Sequence, residues 1–172
     1  GETKLKGEEL LAQSGADYVI IRVSLLFGLG GTGDSTNEWF IKRVFGLEGK
    51  PLEVVDDKWG FPTYAKDVAE VLAELVFDQA CPKKTVFHLA NTGPMDQADR
   101  PTLKDWADHT IKVAIEAGLK LPSEEVNGFS MQKLYDLGAW KAKRPVYSLL
   151  STEKLTAQLG GKPLRHWKEA NE

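Results

Sequence analysis

The chain lacks several features on which whole classes of protein depend. Cys81 is the one cysteine in 172 residues, which excludes an internal disulfide and a site built from several thiolates. No apolar run approaches the roughly 20 residues of a membrane-spanning helix, and the first residues are charged rather than signal-like. The net charge is -3, with both signs interspersed. Nucleic-acid binding needs clustered Lys and Arg, so we expect no nucleic-acid partner. Without an apolar span or a signal-like start, we expect a cytoplasmic protein that does not bind a membrane.

The order of apolar patterns indicates an α/β fold. Residues 17–24 form a nearly continuous apolar, β-branched run, typical of a strand covered on both faces in a parallel sheet. Further strands are predicted at 52–55 and 85–90, and helices at 4–14, about 37–47, 64–77, from the capping box Thr102-x-x-Asp105 onward, and 151–159. At this length, with 42% hydrophobic residues, the chain is most simply one domain.

A glycine-rich loop follows the first predicted strand. Gly28 to Gly33 is a literal G-x-G-x-x-G, and Asp56 lies at a distance downstream that would suit a ribose hydroxyl. In a dinucleotide-binding loop, however, the helix begins inside the motif. Here Asp34 and the two residues after it delay the helix and place a negative charge where phosphates would lie. We therefore expect this loop to face a substrate, with a plain connecting loop as the alternative.

The chain begins Gly1-x-Thr3-Lys4, followed by the pair Gly7-Glu8. This first helical turn resembles the active-site helix of short-chain dehydrogenases/reductases, which carries Tyr-x-x-x-Lys, often as Tyr-Gly-x-Thr-Lys followed by Gly-Glu. The tyrosine would fall one residue before Gly1. A lysine on the same helical face lowers the pKa of such a tyrosine from about 10 towards neutrality. We expect the C-terminal part of a longer enzyme; a solvated lysine is the alternative.

Four further segments share order and separation with motifs of one family. These segments are Arg22 to Gly28, Asp57 to Thr63 with Asp67 after it, Phe87 to Ala90, and Arg144-Pro145 with Ser148 and Leu150, then Lys154-Leu155. Together they resemble the dTDP-4-dehydrorhamnose reductase family, which belongs to the extended short-chain dehydrogenases/reductases. The resemblance covers nearly the whole chain.

The resemblance implies the C-terminal part of a Rossmann-like, doubly wound parallel sheet plus a small α/β substrate-binding lobe. Residues 1–90 would finish the sheet, and residues 91–172 would mainly form the lobe. NADH or NADPH would be bound mainly by a preceding half with its own glycine-rich loop. Lys4 would hold the nicotinamide ribose and tune the catalytic tyrosine.

The resemblance also implies a set of binding residues. Ser24 and Leu25 would lie near the nicotinamide and the sugar. A nucleotide-sugar substrate would contact Leu25, Phe27, Gly28, Trp39 and Arg144. The planar guanidinium of Arg144 suits a pyrophosphate because it donates two hydrogen bonds at once. A surface turn is the alternative for Arg144-Pro145.

Two departures from the family pattern leave two functions open. Leu25 replaces a tryptophan that would face the sugar, and Trp39-Phe40 replaces Asn-Phe. The first function is NAD(P)H-dependent reduction of a nucleotide-linked 4-keto-6-deoxy sugar. The second is a non-catalytic regulatory subunit, like the methionine adenosyltransferase β subunit of the same family. A sheet edge left open by a missing half also predicts a homodimer or other association.

Overall fold

Pairs of parallel strands flanked by helices make up the fold. The computed structural model describes residues 1–28, 36–93 and 100–172. In chain order the elements are α1 Glu2–Gln13, β1 Val19–Val23, β2 Leu26–Phe27, α2 Thr36–Gly46, β3 Leu52–Val55, β4 Thr63–Tyr64, α3 Ala65–Phe77, β5 Thr85–Leu89, α4 Leu103–Glu116, β6 Val126–Phe129, α5 Gln132–Asp136, α6 Glu153–Gln158 and α7 Trp167–Asn171. The predicted α/β class is confirmed.

The strand pairs within the described ranges are all parallel. β1 pairs with β5, β2 with β4, and β3 with β6. Val19 lies opposite Thr85 in the first pair, and Leu52 lies opposite Val126 in the third. Because parallel strands end at the same edge, the carboxyl ends of β1 and β5 lie side by side. The segment that begins at Ser24 therefore starts at that edge.

Two hydrophobic clusters hold these pairs together. The larger one centres on three aromatic rings: Phe40 lies 5.7 Å from Trp106 in a T-shaped contact, and Phe27 lies 5.4 Å from Trp106. The smaller cluster joins α3 and β5 to α6 through buried Val71, Leu75, Cys81, Phe87, Leu89 and Leu155. Burial of each large apolar side chain contributes about 1.5–3 kcal/mol.

The prediction that β1 is covered on both faces is wrong for this structure. Val19, Ile20 and Ile21 are only half-buried, and Arg22 and Val23 are exposed. The physical reason is that β1 has one strand neighbour among the described residues, and α1 beside it contributes no buried residue. The apolar run correctly predicts a parallel strand, but burial of its side chains depends on the elements that pack against it.

Candidate functional site

An ion pair fastens α1 to β1. The guanidinium of Arg22 donates from Nη2 to Glu8 Oε2 at 2.6 Å and from Nε to Glu8 Oε1 at 2.9 Å. The hydrogen bond from Arg22, with its positive charge, lowers the pKa of Glu8. A two-point contact of this kind fixes orientation as well as distance.

This ion pair determines where Lys4 lies. α1 and β1 are joined by a short turn, so the start of the helix and the end of the strand point to the same side. Lys4 is one helical turn before Glu8, about 6 Å further along α1. Ser24 is two residues after Arg22, about 7 Å further along the chain. Both are thus carried towards the carboxyl end of β1. The exposed Lys4 ammonium makes no ion pair or hydrogen bond with any described residue.

Ser24 and Leu25 follow β1 directly and are tied to a distant part of the chain. The Ser24 hydroxyl donates to the Ser148 carbonyl at 3.2 Å, and the Leu25 carbonyl accepts from the Thr63 backbone at 3.0 Å. Leu25 has a φ of 47°, in the left-handed region. Its side chain lies over Gly60, where an added Cβ would be 2.7 Å from Leu25 Cδ1. A side chain at position 60 would therefore displace Leu25.

Lys58 and Arg144, which we call the cation pair, lie on the two segments that meet at Ser148, the residue that Ser24 contacts. The Lys58 ammonium donates to the Ser148 hydroxyl at 3.4 Å. Burial lowers the pKa of Lys58, and the positive charge of Arg144 lowers it further. The Arg144 guanidinium lies 5.4 Å from the centre of the Trp140 ring. Among the described residues, no carboxylate makes an ion pair with either cation.

A cavity of about 550 Å³ is lined by Trp140 and Leu103, which contact Arg144 and Lys58 respectively. We call it the tryptophan cavity; its lining includes Trp39, Arg43, Leu103, Phe129, Lys133, Leu134, Leu137 and Trp140. Trp140 carries Arg144 on its ring, and the backbone N–H of Leu103 donates to the Lys58 carbonyl at 3.2 Å. Trp39 is 45% exposed, so much of its surface is open to a ligand. A cavity of this volume lies in the usual range for small-molecule sites.

Phe27 and Gly28 do not line the tryptophan cavity. The Phe27 side chain is 5% exposed and stacks on Tyr64 at 5.3 Å. A Cβ on Gly28 would come within 2.9 Å of the Ala65 Cβ. Both residues line a separate hollow of about 370 Å³ together with Tyr64 and Arg165. Their role in substrate binding stays a prediction, and residues 29–33 of the glycine-rich loop lie outside the described residues.

Sequence reasoning missed Lys58 and Trp140, and assigned Ser148 no contact. Ser148 belongs to the segment after Arg144-Pro145, and Lys58 belongs to the segment from Asp57 to Thr63. Both segments were singled out as motifs. A lysine next to a tryptophan was a further signal, but the partner of Lys58, 90 residues away, could not be read from the sequence.

The described residues contain neither a membrane span nor a cluster of metal ligands. Their helices are too short or too polar to span a bilayer. No group of three or more His, Cys, Asp or Glu side chains among them is arranged to hold a metal ion.

Known proteins resemble this chain over its whole length. The family model described as "RmlD substrate binding domain" matches residues 1–172. The spore coat polysaccharide biosynthesis protein SpsK of Bacillus subtilis (strain 168) is 30% identical over 172 residues, covering 99% of this chain and 51% of that protein. The dTDP-4-dehydrorhamnose reductase of Escherichia coli (strain K12) is 31% identical over 159 residues, covering 90% of this chain and 48% of that protein.

Solved structures of dTDP-4-dehydrorhamnose reductases share the fold of this chain. A dTDP-4-dehydrorhamnose reductase from Clostridium acetobutylicum matches with a TM-score of 0.76 and 25% identity, over 99% of this chain and 52% of that one. The Bacillus anthracis reductase, solved in complex with NADP, shares the fold with a TM-score of 0.73 and 23% identity, over 100% and 52%. The chain spans about half the length of the relatives it matches. It belongs to the RmlD substrate-binding-domain family.

Proposed function

We propose that this chain is the substrate-binding part of an NAD(P)H-dependent reductase of a dTDP-linked 4-keto-6-deoxy sugar. One observation carries the proposal. The ion pair between Glu8 and Arg22 directs Lys4 and Ser24 to the same end of β1, and Ser24 is tied through Ser148 to Lys58. A lysine suited to a cofactor, a polar side chain and the cation pair thereby lie on connected segments.

Lys4 fits a place beside a nicotinamide cofactor. Its ammonium is exposed, makes no ion pair or hydrogen bond with a described residue, and stands on a helix fixed by the two hydrogen bonds between Glu8 and Arg22. When bound, NADH or NADPH supplies hydride to the ketone carbon. In this proposal Lys4 binds the nicotinamide ribose and stabilises the phenolate of a tyrosine directly before Gly1. That tyrosine gives its proton to the ketone oxygen, so hydride and proton together make the alcohol.

The nucleotide end of the substrate fits the other side of the site. Arg144 offers a planar fork of donors to a diphosphate, and its position is held by the Trp140 ring and by the hydrogen bond from its backbone N–H to the Tyr135 hydroxyl at 2.7 Å. In the tryptophan cavity, Trp39 and Trp140 offer aromatic faces to the nucleoside. The sugar then lies between Ser24 and Leu25, within reach of Lys4.

We also propose how the chain is divided. Residues 1–90 complete a Rossmann-like sheet, and residues 91–172 supply most of the lobe. β3 pairs with β6, and α2 packs on α4, which supports a lobe that takes segments from both sides of residue 90. The half-exposed strand β1 supports association through a sheet edge, including a homodimer. The single buried thiol, Cys81, fits the reducing cytoplasm.

A non-catalytic regulatory role is the second candidate. Leu25 stands where the family pattern has a tryptophan, and its side chain packs partly into the larger core cluster. The sugar would thereby lose an aromatic platform. A protein that binds a partner instead of reducing a sugar would tolerate that loss.

NADPH consumption with dTDP-4-dehydrorhamnose tests the proposal. The protein should carry this chain together with the segment that precedes it. Wild type should oxidise NADPH, and Lys4→Met should lower turnover by about 100-fold or more because the tyrosine loses its electrostatic partner. Lys6→Met on the same helix is the matched control and should keep turnover. No NADPH consumption by wild type would favour the regulatory role.

A further inference from the structure

The Lys58 ammonium is placed by its neighbours on both sides. Before it, Asp57 accepts hydrogen bonds from the Ser130 hydroxyl at 2.5 Å and the Met131 backbone at 2.7 Å. After it, the Trp59 backbone donates to the Val146 carbonyl at 2.9 Å and accepts from Ser148 at 2.8 Å. The backbone at position 58 is therefore fixed, and the side chain points to Ser148.

The charge around Lys58 is unbalanced. Arg144 lies close enough to disfavour the protonated form of Lys58, and burial acts in the same direction. The nearest carboxylate in sequence, Asp57, has both oxygens engaged by Ser130 and Met131. Two cations held together without a described counter-ion repel each other, and this repulsion is stronger away from bulk water. An anion with two charged groups would remove it.

We infer that Lys58 is a second diphosphate ligand, which works with Arg144 to select nucleoside diphosphate sugars over uncharged sugars and nucleosides. This inference rests on the proposed function and adds a residue to it. Arg144 would bind one phosphate through its fork, and Lys58 would bind the other as a compact point charge. The Ser148 hydroxyl, 3.4 Å from the Lys58 ammonium, would hold the lysine ready in the empty site.

The stacked pair Trp59 and Tyr147 supports this placement. Their ring centres lie 5.1 Å apart, with 24° between the planes. The two rings belong to the residues next to Lys58 and Ser148 in sequence. They lock the two backbone segments that carry the ammonium and the hydroxyl, so Lys58 and Ser148 keep their spacing without a ligand. A preformed site loses less entropy on binding.

Binding of dTDP and thymidine, measured by calorimetry on the protein that carries this chain together with the segment that precedes it, tests the inference. Wild type should bind dTDP more tightly than thymidine. Lys58→Gln should weaken dTDP binding by about 10- to 100-fold, as expected for a lost charged hydrogen bond, and leave thymidine binding unchanged. Lys58→Arg should retain most of the preference. Lys143→Gln is the matched control because it removes one exposed charge beside Arg144.

A second measurement covers the case in which Lys58→Gln does not fold. In wild type, dTDP but not thymidine should protect Lys58 from amine acylation, read by mass spectrometry, while Lys143 stays reactive.

Tight dTDP binding that is insensitive to Lys58→Gln, or no protection of Lys58, overturns the role of Lys58 alone and leaves the proposed function standing. Equal affinities of wild type for dTDP and thymidine overturn the diphosphate site itself. Reductase activity that is absent in the longer protein while dTDP still requires Lys58 overturns the reductase proposal only.

Discussion

Arg22 holds Glu8 through two hydrogen bonds of 2.6 and 2.9 Å, and this contact joins the helix that carries Lys4 to the strand that leads to Ser24. The two residues are 14 positions apart and lie across a short turn. Neither side chain is deeply buried, so the pair matters less for stability than for alignment. Its place in the fold makes Glu8 a positioning residue.

Glu8→Gln should lower reductase turnover in the longer protein by roughly tenfold, because a small displacement of a reacting group reduces rate sharply. Binding of dTDP should not change, since the cation pair and the tryptophan cavity lie on other elements. Steady-state turnover and calorimetric dTDP binding check the two halves of this prediction. Glu9→Gln is the control, because Glu9 pairs with Lys6 on the same helix at 3.2 Å. Equal losses in both variants would show that any charge change on α1 has this effect.

Arg165→Ala should destabilise the fold. Arg165 donates to both oxygens of Asp67 at 2.7 and 3.0 Å, and Asn91 donates to the same carboxylate at 2.6 Å. Removing the arginine leaves a mostly buried carboxylate with one partner fewer. We expect a loss of about 1–3 kcal/mol in the free energy of unfolding, measured by urea denaturation, given that Arg165 itself is partly exposed. Lys66→Ala removes an exposed ion pair of 3.9 Å and should cost under about 0.5 kcal/mol.

The same network predicts a dependence of stability on pH. Burial alone would raise the pKa of Asp67, but hydrogen bonds from Arg165 and Asn91 outweigh it and leave that pKa below its ordinary value. A lowered folded-state pKa means that the unfolded chain binds the proton more readily. The stabilisation is therefore present above the ordinary carboxylate pKa of about 4 and is lost as the pH falls through the folded-state pKa. The stability difference between wild type and Asp67→Asn should shrink over that range in acid urea titrations. A constant difference would contradict the shift.

Local patterns in the sequence predicted much of this fold. Thr102 and Asp105 form the capping box that starts α4, with Asp105 N–H to Thr102 Oγ1 at 3.1 Å and Thr102 N–H to Asp105 Oδ2 at 2.7 Å. Such signals involve residues three or four apart, so they are visible in the sequence. The helices α1 and α3 and the strands β3 and β5 were predictable for the same reason.

Long-range partners were not predictable in this way. Asp67 lies in the first turn of α3, but its main partner Arg165 lies 98 residues away. β3 pairs with β6, a strand of four residues with a glycine, whose sequence carries little strand signal. Likewise, Lys4 and Arg144 were identified by resemblance, but Lys58 became a candidate only when the fold placed it beside Ser148.

Gly93→Ala should destabilise the protein by about 1–3 kcal/mol, because extra atoms in a packed site force neighbours to move. An added Cβ there would collide with the Phe61 ring and come within 2.9 Å of the Trp167 Cδ1. Both rings are buried, at 3% and 2% exposure, and neither can move without disturbing the larger core cluster. Gly7→Ala in α1 meets nothing within 4 Å and should instead stabilise the helix by about 0.5–1 kcal/mol. Thermal unfolding of both variants gives the comparison, and a neutral Gly93→Ala would contradict this packing.

Trp39→Ala separates the tryptophan cavity from the cation pair. If the nucleoside stacks in that cavity, loss of the exposed Trp39 ring should weaken thymidine and dTDP by the same factor, about 5- to 10-fold, because aromatic stacking contributes about 1 kcal/mol or more. Lys58→Gln should weaken dTDP alone. Phe45→Ala is a suitable control: Phe45 is 48% exposed on the same helix but does not line the cavity. Should Trp39→Ala leave thymidine binding intact, the nucleoside binds elsewhere, and the cation pair would have to bind the diphosphate from another direction.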